Sequence, residues 1–535
     1  MNFETGRFMK AKYIILCTSF LLLLLFNRCF RTYEAVKTDV YSLKTGTYED
    51  IQAKVFKSDN SIVLFPDGFT IDSNRIKGEG IISDYLLSGS SKQMIKFPLD
   101  SITAMTTYEE TTKGGRYFGS FLLGLTGPPL TFLGIYCVSC PKCCFGSCPT
   151  IYTYDGKDYN LEVELFSECI SRQLENNDID LLKQKFINNT LKLKITNEAM
   201  ETHYINKFEV VIAEHPENSE LYPCIDNKLL LIYKHLPLAN AVTKEGVDVT
   251  NLLLKDDNKF YRSGVDRVSE LKKGPVFDWL DIKIPSSKNS QVKMILKYRN
   301  TLLSTTLLYN VVIGSQGAAG LEWTQRMNED PVYASYFKMV YDEFSGIKIK
   351  MLDNGCWKYV GKFKDAGPLN WKYIASQLPS CNSDTLQLRL EFIPDNFMLD
   401  YIAFDTTSHP NDYITTSTIY PCKISDGNGN PDDCLLDYVK TDDSSYLITE
   451  PGDSYYLDYN ISVKSNCKQT ALIYSKGYYN EWIRGSWINN NNDHYSFNLY
   501  DIKGTFSQLA DSWIENSELL EREFFHSRFS LKEEK

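Results

Sequence analysis

Apolar and polar positions alternate over short stretches through most of the chain, and Asp, Asn, Ser and Gly separate the stretches. Alternation with a period of two marks strands that bury one face. Between residues 32 and 112 the runs Ile51–Phe56, Ser61–Phe65, Phe69–Ile71, Ile76–Ile82 and Lys96–Met105 are divided by Ser58-Asp59-Asn60, Asp67-Gly68 and Asp72-Ser73-Asn74. They predict a small, strongly bent β-barrel. After residue 149, Asp155-Gly156 marks a hairpin between aromatic-rich strands. Thr190–Thr196, Lys207–Ala213, Val276–Ile284 and Gln291–Tyr298 continue the β pattern, and within Leu386–Asp405 the residues Leu386, Leu388, Leu390 and Phe392 alternate with polar ones. Helical spacing is restricted to Pro331–Phe344, with Pro in the first turn, and to Phe506–Leu531, where Leu509, Trp513, Leu520 and Phe524 recur. Thr301–Ile313 fits either helix or strand. The expected fold class is mainly β and multidomain, an N-terminal small β-barrel followed by β-sandwich-like domains, with few helices.

A length of 535 residues corresponds to about three or four domains at roughly 100–200 residues each. The pattern divides the chain into a signal or anchor (1–31), the barrel (32–112), an apolar Gly/Pro segment with a cysteine cluster (113–148), a β-rich domain (149–330), an α+β or sandwich-like domain (331–420), a β-rich domain (421–505) and a C-terminal helix (506–535).

Lys10 and Lys12 precede the apolar run Tyr13–Phe26, which is long enough for an export signal and short for a membrane span. Cys29 follows where a bacterial lipoprotein would carry its lipid anchor, although Phe26, Asn27 and Arg28 lack the small residues usual before it. A second uncharged run, Tyr117–Val138, is broken at Gly127-Pro128-Pro129. It reads either as a pair of membrane-contacting short helices or as a buried apolar hairpin. With 57 Lys+Arg against 68 Asp+Glu, the formal charge of −11 argues against nucleic acid as a partner.

Several phrases carry a resemblance. GSFLLGLTGPPLTFLGIYC (119–137), CFGSCPTIYTYDGKDYNLEVE (144–164), LKLKITNEAMETHYINKFEVVIAEHP (191–216), PGDSYYLDY (451–459) and YSKGYYNEW (474–482) together resemble uncharacterised exported lipoproteins of bacteria, particularly Bacteroidetes. IKFPLDSITAM (95–105) resembles the last strands of bacterial Sm-like or SH3-like small barrels. The resemblance implies a membrane-anchored protein of the bacterial cell envelope with a barrel, an apolar insert and tandem β-domains. It brings no catalytic residues with it.

The chain has 14 cysteines, five of them in the cluster Cys137, Cys140, Cys143, Cys144 and Cys148. Ferredoxin spacing is missed by one residue, and zinc would need His or a second separated pair. Disulfides or free thiols fit an exported chain better, with a metal cluster as the alternative. Asp426, Asn428, Asn430 and Asp432 place oxygens at alternate positions, with Asp437 as a further carboxylate, which is the arrangement of a calcium loop. Pro431 stands where such a loop needs Gly, so an Asp/Asn/Gly turn is the preferred reading and calcium the alternative. A Cys422–Cys434 disulfide would close the loop in either case.

Catalytic motifs are scarce. The six histidines are scattered, Gly314–Gly320 lacks phosphate-loop spacing, and Glu162 with Glu164 would form a glycosidase dyad only if the fold opposed them across a cleft. The aromatic residues, 35 Tyr and 7 Trp, are densest in GYYNEW (477–482); most should serve the core or cross-strand pairs, the exposed ones stacking on sugars or peptides. Three functions remain: a tethered protein binding a glycan or protein partner, favoured; a structural protein self-associating through the apolar segment; and a hydrolase with an interdomain site. Binding requires an exposed aromatic patch, assembly an exposed apolar hairpin, and hydrolysis a cleft with opposed carboxylates or a Ser/His pair.

Overall fold

A computed structural model describes residues 33–37, 43–49, 51–57, 62–65, 67–83, 92–110, 148–183, 186–187, 189–198, 201–285, 291–380, 383–407, 413–427, 429–432, 435–443, 445–450, 453–481 and 497–526. They fall into two compact units, 1–133 and 134–535, and the fold is mainly β in both.

In the first unit, β1 (Tyr33–Lys37), β2 (Gly46–Glu49), β3 (Gln52–Lys57), β4 (Ile62–Phe65), β5 (Gly68–Asp72), β6 (Arg75–Ser83), β7 (Gln93–Pro98) and β8 (Ile102–Glu110) form one antiparallel sheet. Its order is β1-β8-β3-β4-β6-β5-β2, with β7 beside β6. Strand β6 pairs with β5 and β7 through its first half and with β4 through its second, which bends the sheet around Val55, Val63, Phe65, Ile76 and Met105. Gly78 permits this: a Cβ there would stand 2.9 Å from the Phe65 ring and 3.0 Å from the Gly68 carbonyl. The run Lys96–Met105, expected as one strand, is divided into β7 and β8 by a helical turn at Leu99–Ser101. Pro98 has no N–H for the ladder, and Leu99 N donates to Asn74 O at 2.9 Å instead.

The second unit is built on a sandwich. One sheet runs β17 (Asn240–Thr243), β18 (Asp278–Pro285), β23 (Thr385–Phe392), β20 (Ile347–Asp353) and β21 (Cys356–Phe363). The other runs β16 (Leu236–Pro237), β24 (Phe397–Asp405), β19 (Val292–Asn300) and β22 (Lys372–Leu378). Leu280, Ile282, Leu386, Leu388 and Leu390 from the first sheet meet Met294, Leu296, Leu399, Ile402 and Phe404 from the second. Each such side chain, fully buried, contributes about 1.5–3 kcal/mol. The hairpin of β14 (Glu220–Pro223) and β15 (Leu229–Ile232) covers the second sheet through Tyr222, Leu230 and Ile232. Its opposite side, Leu221 and Leu231, packs on a third sheet, β11 (Asn176–Leu182), β29 (Lys468–Glu481), β13 (Glu201–His215) and β25 (Thr415–Ile419), with β27 (Leu447–Thr449) also on β13. A fourth sheet runs β10 (Tyr159–Glu164), β9 (Thr150–Tyr154), β12 (Thr190–Thr196), β28 (Ser454–Asn460) and β26 (Lys423–Asp426).

The linear division at 330/331 and 420/421 is therefore corrected. β12 pairs with β28 and β13 with β29, so residues before 216 and after 414 share sheets, and the sandwich strands of 236–405 lie between them in sequence. Strands choose partners by matching apolar faces, which takes no account of distance along the chain.

Thr301–Ile313 is helical: α1 (Leu303–Thr306) continues through a wider turn at Leu307–Ile313, and Gly314–Ala319 forms a tight helical turn leading into α2 (Gly320–Glu329). Helix α3 (Pro331–Phe344) starts where expected, with Asp330 Oδ1 accepting from Val332 N at 3.1 Å and Tyr333 N at 3.0 Å. After the short α4 (Leu435–Val439), helix α5 (Ile502–His526) packs Phe506, Leu509 and Trp513 on Val268, Leu271, Leu302 and Leu303. No helix among the described residues is long and apolar enough to cross a membrane. Tyr13–Phe26, Cys29 and Tyr117–Val138 lie outside the described residues.

Candidate functional site

In β18, whose sequence is DWLDIKIP, Leu280, Ile282 and Ile284 enter the core. Strand alternation then turns Trp279, Asp281 and Lys283 outward. Arg389 and Glu391 of β23, Lys350 of β20, and Trp357 and Tyr359 of β21 share that outer face, with Tyr359 opposite Lys350 and Lys350 opposite Arg389. The Arg389 guanidinium lies 4.3 Å from the centre of the Trp279 ring and 4.4 Å from that of Trp357. Its Nε and Nη2 donate to the two Asp281 oxygens at 2.7 and 2.9 Å. Lys350 Nζ donates to both oxygens of Glu391 at 2.8 and 2.7 Å, and Lys244 stands 4.8 Å from the Trp279 ring. The cations on this face are thus largely neutralised in place, and what it offers a partner is aromatic area edged by planar hydrogen-bonding groups. Tyr359 is 61% exposed.

A second feature of this unit is a small polar cavity of about 20 Å³, lined in part by Glu162, Glu164, Asp180, Asn370, Trp371 and Lys372. Glu164 Oε2 accepts from Leu369 N at 2.7 Å, and Glu162 accepts from Lys183 N and from Thr153 Oγ1. Both acids come from β10 and so stand on one wall, not opposed across a cleft. Lys372 Nζ reaches Asp178 Oδ1 at 2.8 Å and Asp180 Oδ1 at 3.0 Å. Burial and then the neighbouring Asp178 push the Asp180 carboxyl up to about 7, whereas Lys372 holds Asp178 below its ordinary value against burial. Gly367, at φ +80°, leaves room for Glu164: a Cβ there would stand 2.7 Å from Glu164 Oε2. Gly367→Ala should therefore destabilise the unit by about 1–2 kcal/mol from the left-handed backbone alone, measured by urea unfolding. An unchanged midpoint would refute this.

Of the residues expected to carry function, Cys29, Cys137, Cys140, Cys143 and Cys144 lie outside the described residues. Cys148 is a buried free thiol, and burial, reinforced by Glu201 and Glu164, raises it well above its ordinary value. Of the expected Cys422–Cys434 pair, Cys422 is a free thiol that donates to Asp458 O at 3.3 Å, and Cys434 lies outside the described residues. In the expected calcium loop, Asp426 accepts from Asn430 N at 2.9 Å and from Asn430 Nδ2 at 3.0 Å. Asp432 follows as its N–H donates to Ile424 O, Asp437 belongs to α4, and Asn428 lies outside the described residues. Among the described residues, no three His, Cys, Asp or Glu side chains form a group that could hold a metal ion. The loop is a turn in which Asp426 and Asn430 bind each other.

In GYYNEW, Tyr478 and Tyr479 are buried, and Tyr478 stacks on Tyr204 at 4.5 Å across β13 and β29. His203 is wholly buried against Glu201, His215 bonds Ser219 and Thr470, and His235 meets Glu220 and Tyr401. Each is held by structural neighbours. Trp279, Trp357, Arg389, Asp180 and Lys372 were not singled out by sequence. The available signal was an aromatic residue on the polar side of an alternating strand, as in DWLDIKIP.

No protein-family model matches the chain, and no curated protein matches it. Among solved structures, 83% of the chain is similar to a GH31 α-xylosidase from Xanthomonas citri, at 8% identity and a TM-score of 0.16. The chain spans 38% of that enzyme's length. A further likeness, to a chain from an archaeal virus with a triple jelly roll fold, covers 58% of this chain and 90% of that one, at 10% identity and a TM-score of 0.12. At those TM-scores neither likeness bears on function.

Proposed function

We propose that the chain is a membrane-tethered binding protein of the bacterial cell envelope, and that the outer face of the sandwich receives a glycan. The observation that carries the reading is the Trp279–Arg389–Trp357 stack with Tyr359 beside it. Sugar rings have apolar C–H faces and hydroxyl edges. Indole and phenol rings match the first, and the paired Asp281–Arg389 and Lys350–Glu391 groups match the second. The leader and Cys29 support the tether.

Glycan-array screening of the full chain, followed by calorimetry on the ligands found, tests the binding half. Trp357→Ala with Tyr359→Ala should weaken affinity about tenfold or more, since each ring contact contributes on the order of 0.5–1.5 kcal/mol. Equal affinity in the double variant, or no glycan retained by the folded protein, would overturn the reading. Membrane fractionation and intact mass test the tether, with a diacylated Cys29 expected.

A further inference from the structure

Asp281 and Glu391 balance Arg389 and Lys350, but the outer face of the sandwich carries two further cations that form no ion pair with any described residue. Lys244, beside the Trp279 ring, donates to the Phe277 carbonyl at 3.1 Å. Lys283 is exposed on β18. Strand pairing sets Lys283 directly opposite Gln387, and Gln387 lies two residues from Arg389 on the same face of β23. Residues directly opposed across a ladder stand about 5 Å apart, and alternate residues of one strand roughly 7 Å apart. Arg389 uses Nε and Nη2 on Asp281, so Nη1 keeps its two N–H groups free of any described residue. The Lys283 ammonium, the Gln387 amide and Arg389 Nη1 thus form one patch of unfilled donors. Trp357 borders it, 4.4 Å from the Arg389 guanidinium.

The charge of the ligand follows from this imbalance. A carboxylate or sulfate accepts several hydrogen bonds at once, and charge-assisted bonds are roughly twice as strong as neutral ones. A neutral hydroxyl would take the donors singly and leave the positive charge unbalanced. The carboxylates that would repel an anion are already held, both Asp281 oxygens by Arg389 and both Glu391 oxygens by Lys350. With the whole chain at −11, retention of a polyanion cannot come from overall attraction and must come from this local patch.

Taking this face as the glycan site proposed above, on which the inference rests, we infer that the glycan is acidic. Its carboxylate or sulfate is received by Lys283, Gln387 and Arg389 Nη1, and its sugar ring lies on Trp357 and Tyr359. Lys283 separates acidic from neutral glycans. Lys244, flanking Trp279 four residues back along β18, stands about 13 Å from Lys283 and meets a different residue of the same oligosaccharide.

The test is calorimetry of the full chain with tetragalacturonate, with its carboxyl-reduced form, which has the same rings and linkages without charge, and with a sulfated neocarratetraose. Titrations at about 0.05 and 0.5 M NaCl vary the screening. At low salt at least one acidic tetrasaccharide should bind about tenfold tighter than the neutral one, an advantage that salt removes. The two acidic probes distinguish carboxylate from sulfate. Lys283→Gln, at an exposed position, should lower acidic affinity to that of the neutral form and leave neutral affinity unchanged. Equal or tighter binding of the neutral form, glycan-array retention of neutral glycans alone, or unchanged acidic binding by Lys283→Gln would each overturn the inference while leaving the glycan reading intact. Retention of no glycan at all by the folded protein would overturn both.

Discussion

Lys372→Met should lower the stability of the C-terminal unit by about 3–5 kcal/mol at pH 8, because it leaves the buried Asp180 carboxylate and the half-buried Asp178 carboxylate without the ammonium between them. The deficit should shrink on acidification. In the wild type, Asp180 titrates near 7 in the folded state against 3.8 as its ordinary value. The folded chain thus binds the extra proton between about pH 4 and pH 7, and this carboxyl's contribution to stability falls as pH rises through that window. Asp178 acts oppositely: held below its ordinary value, it stabilises above pH 3.8, and that contribution disappears as pH falls through its depressed folded value. Removing Lys372 takes away the attraction that sustains both carboxylates, so both should hold protons to higher pH, and the variant should recover most of its loss by about pH 5. Urea unfolding of both proteins at pH 5, 6, 7 and 8 measures this. A deficit that does not change with pH would show that Lys372 acts through packing alone.

Asp395→Ala should destabilise the same unit by about 3–5 kcal/mol. Asp395 is wholly buried, takes the left-handed backbone at φ +62°, and closes the turn between β23 and β24. Its two oxygens accept from Arg262 Nε and Nη2 at 2.5 and 2.9 Å, and Oδ2 also accepts from Trp513 Nε1 at 2.8 Å. Arg262 in turn donates to Glu521 Oε2 at 2.8 Å, so this carboxylate fastens helix α5 to the sandwich. Alanine would leave the Arg262 fork and the buried indole N–H without their acceptor and would strain the backbone as well. Asp395→Asn, which retains one acceptor oxygen and tolerates the left-handed region, should lose about half as much. Guanidinium unfolding monitored by Trp fluorescence distinguishes the two. Equal midpoints for the alanine variant and the wild type would refute the clamp.

Local features were legible in the sequence. TLKLKIT spans the same residues as β12, Asp155-Gly156 turns β9 into β10, and Pro331 begins α3 behind an Asp cap. Each depends on neighbours within a few residues, where alternation, turn chemistry and capping act. The Asp/Asn/Gly turn preferred for the loop at Asp426 is local in the same way: Asp426 accepts from Asn430 N and from Asn430 Nδ2, four residues on. The division into successive β-domains was not legible correctly, because β12 and β13 each pair with a strand more than 200 residues further along the chain, β28 and β29.

The outer face and the cavity divide the same way. The pattern DWLDIKIP determined by itself that Trp279 stands opposite the apolar side of its strand, since that needs only the two-residue period. That Trp357, 78 positions later, shares one arginine with it was decided by β23 lying between β18 and β20. Likewise the composition fixed how many acids the chain carries, but tertiary structure alone placed Asp178 and Asp180 around Lys372, where burial turns an ordinary carboxyl into one that titrates near neutrality. A charge acquires its energy from its surroundings, and in this chain those surroundings are assembled from strands far apart in sequence.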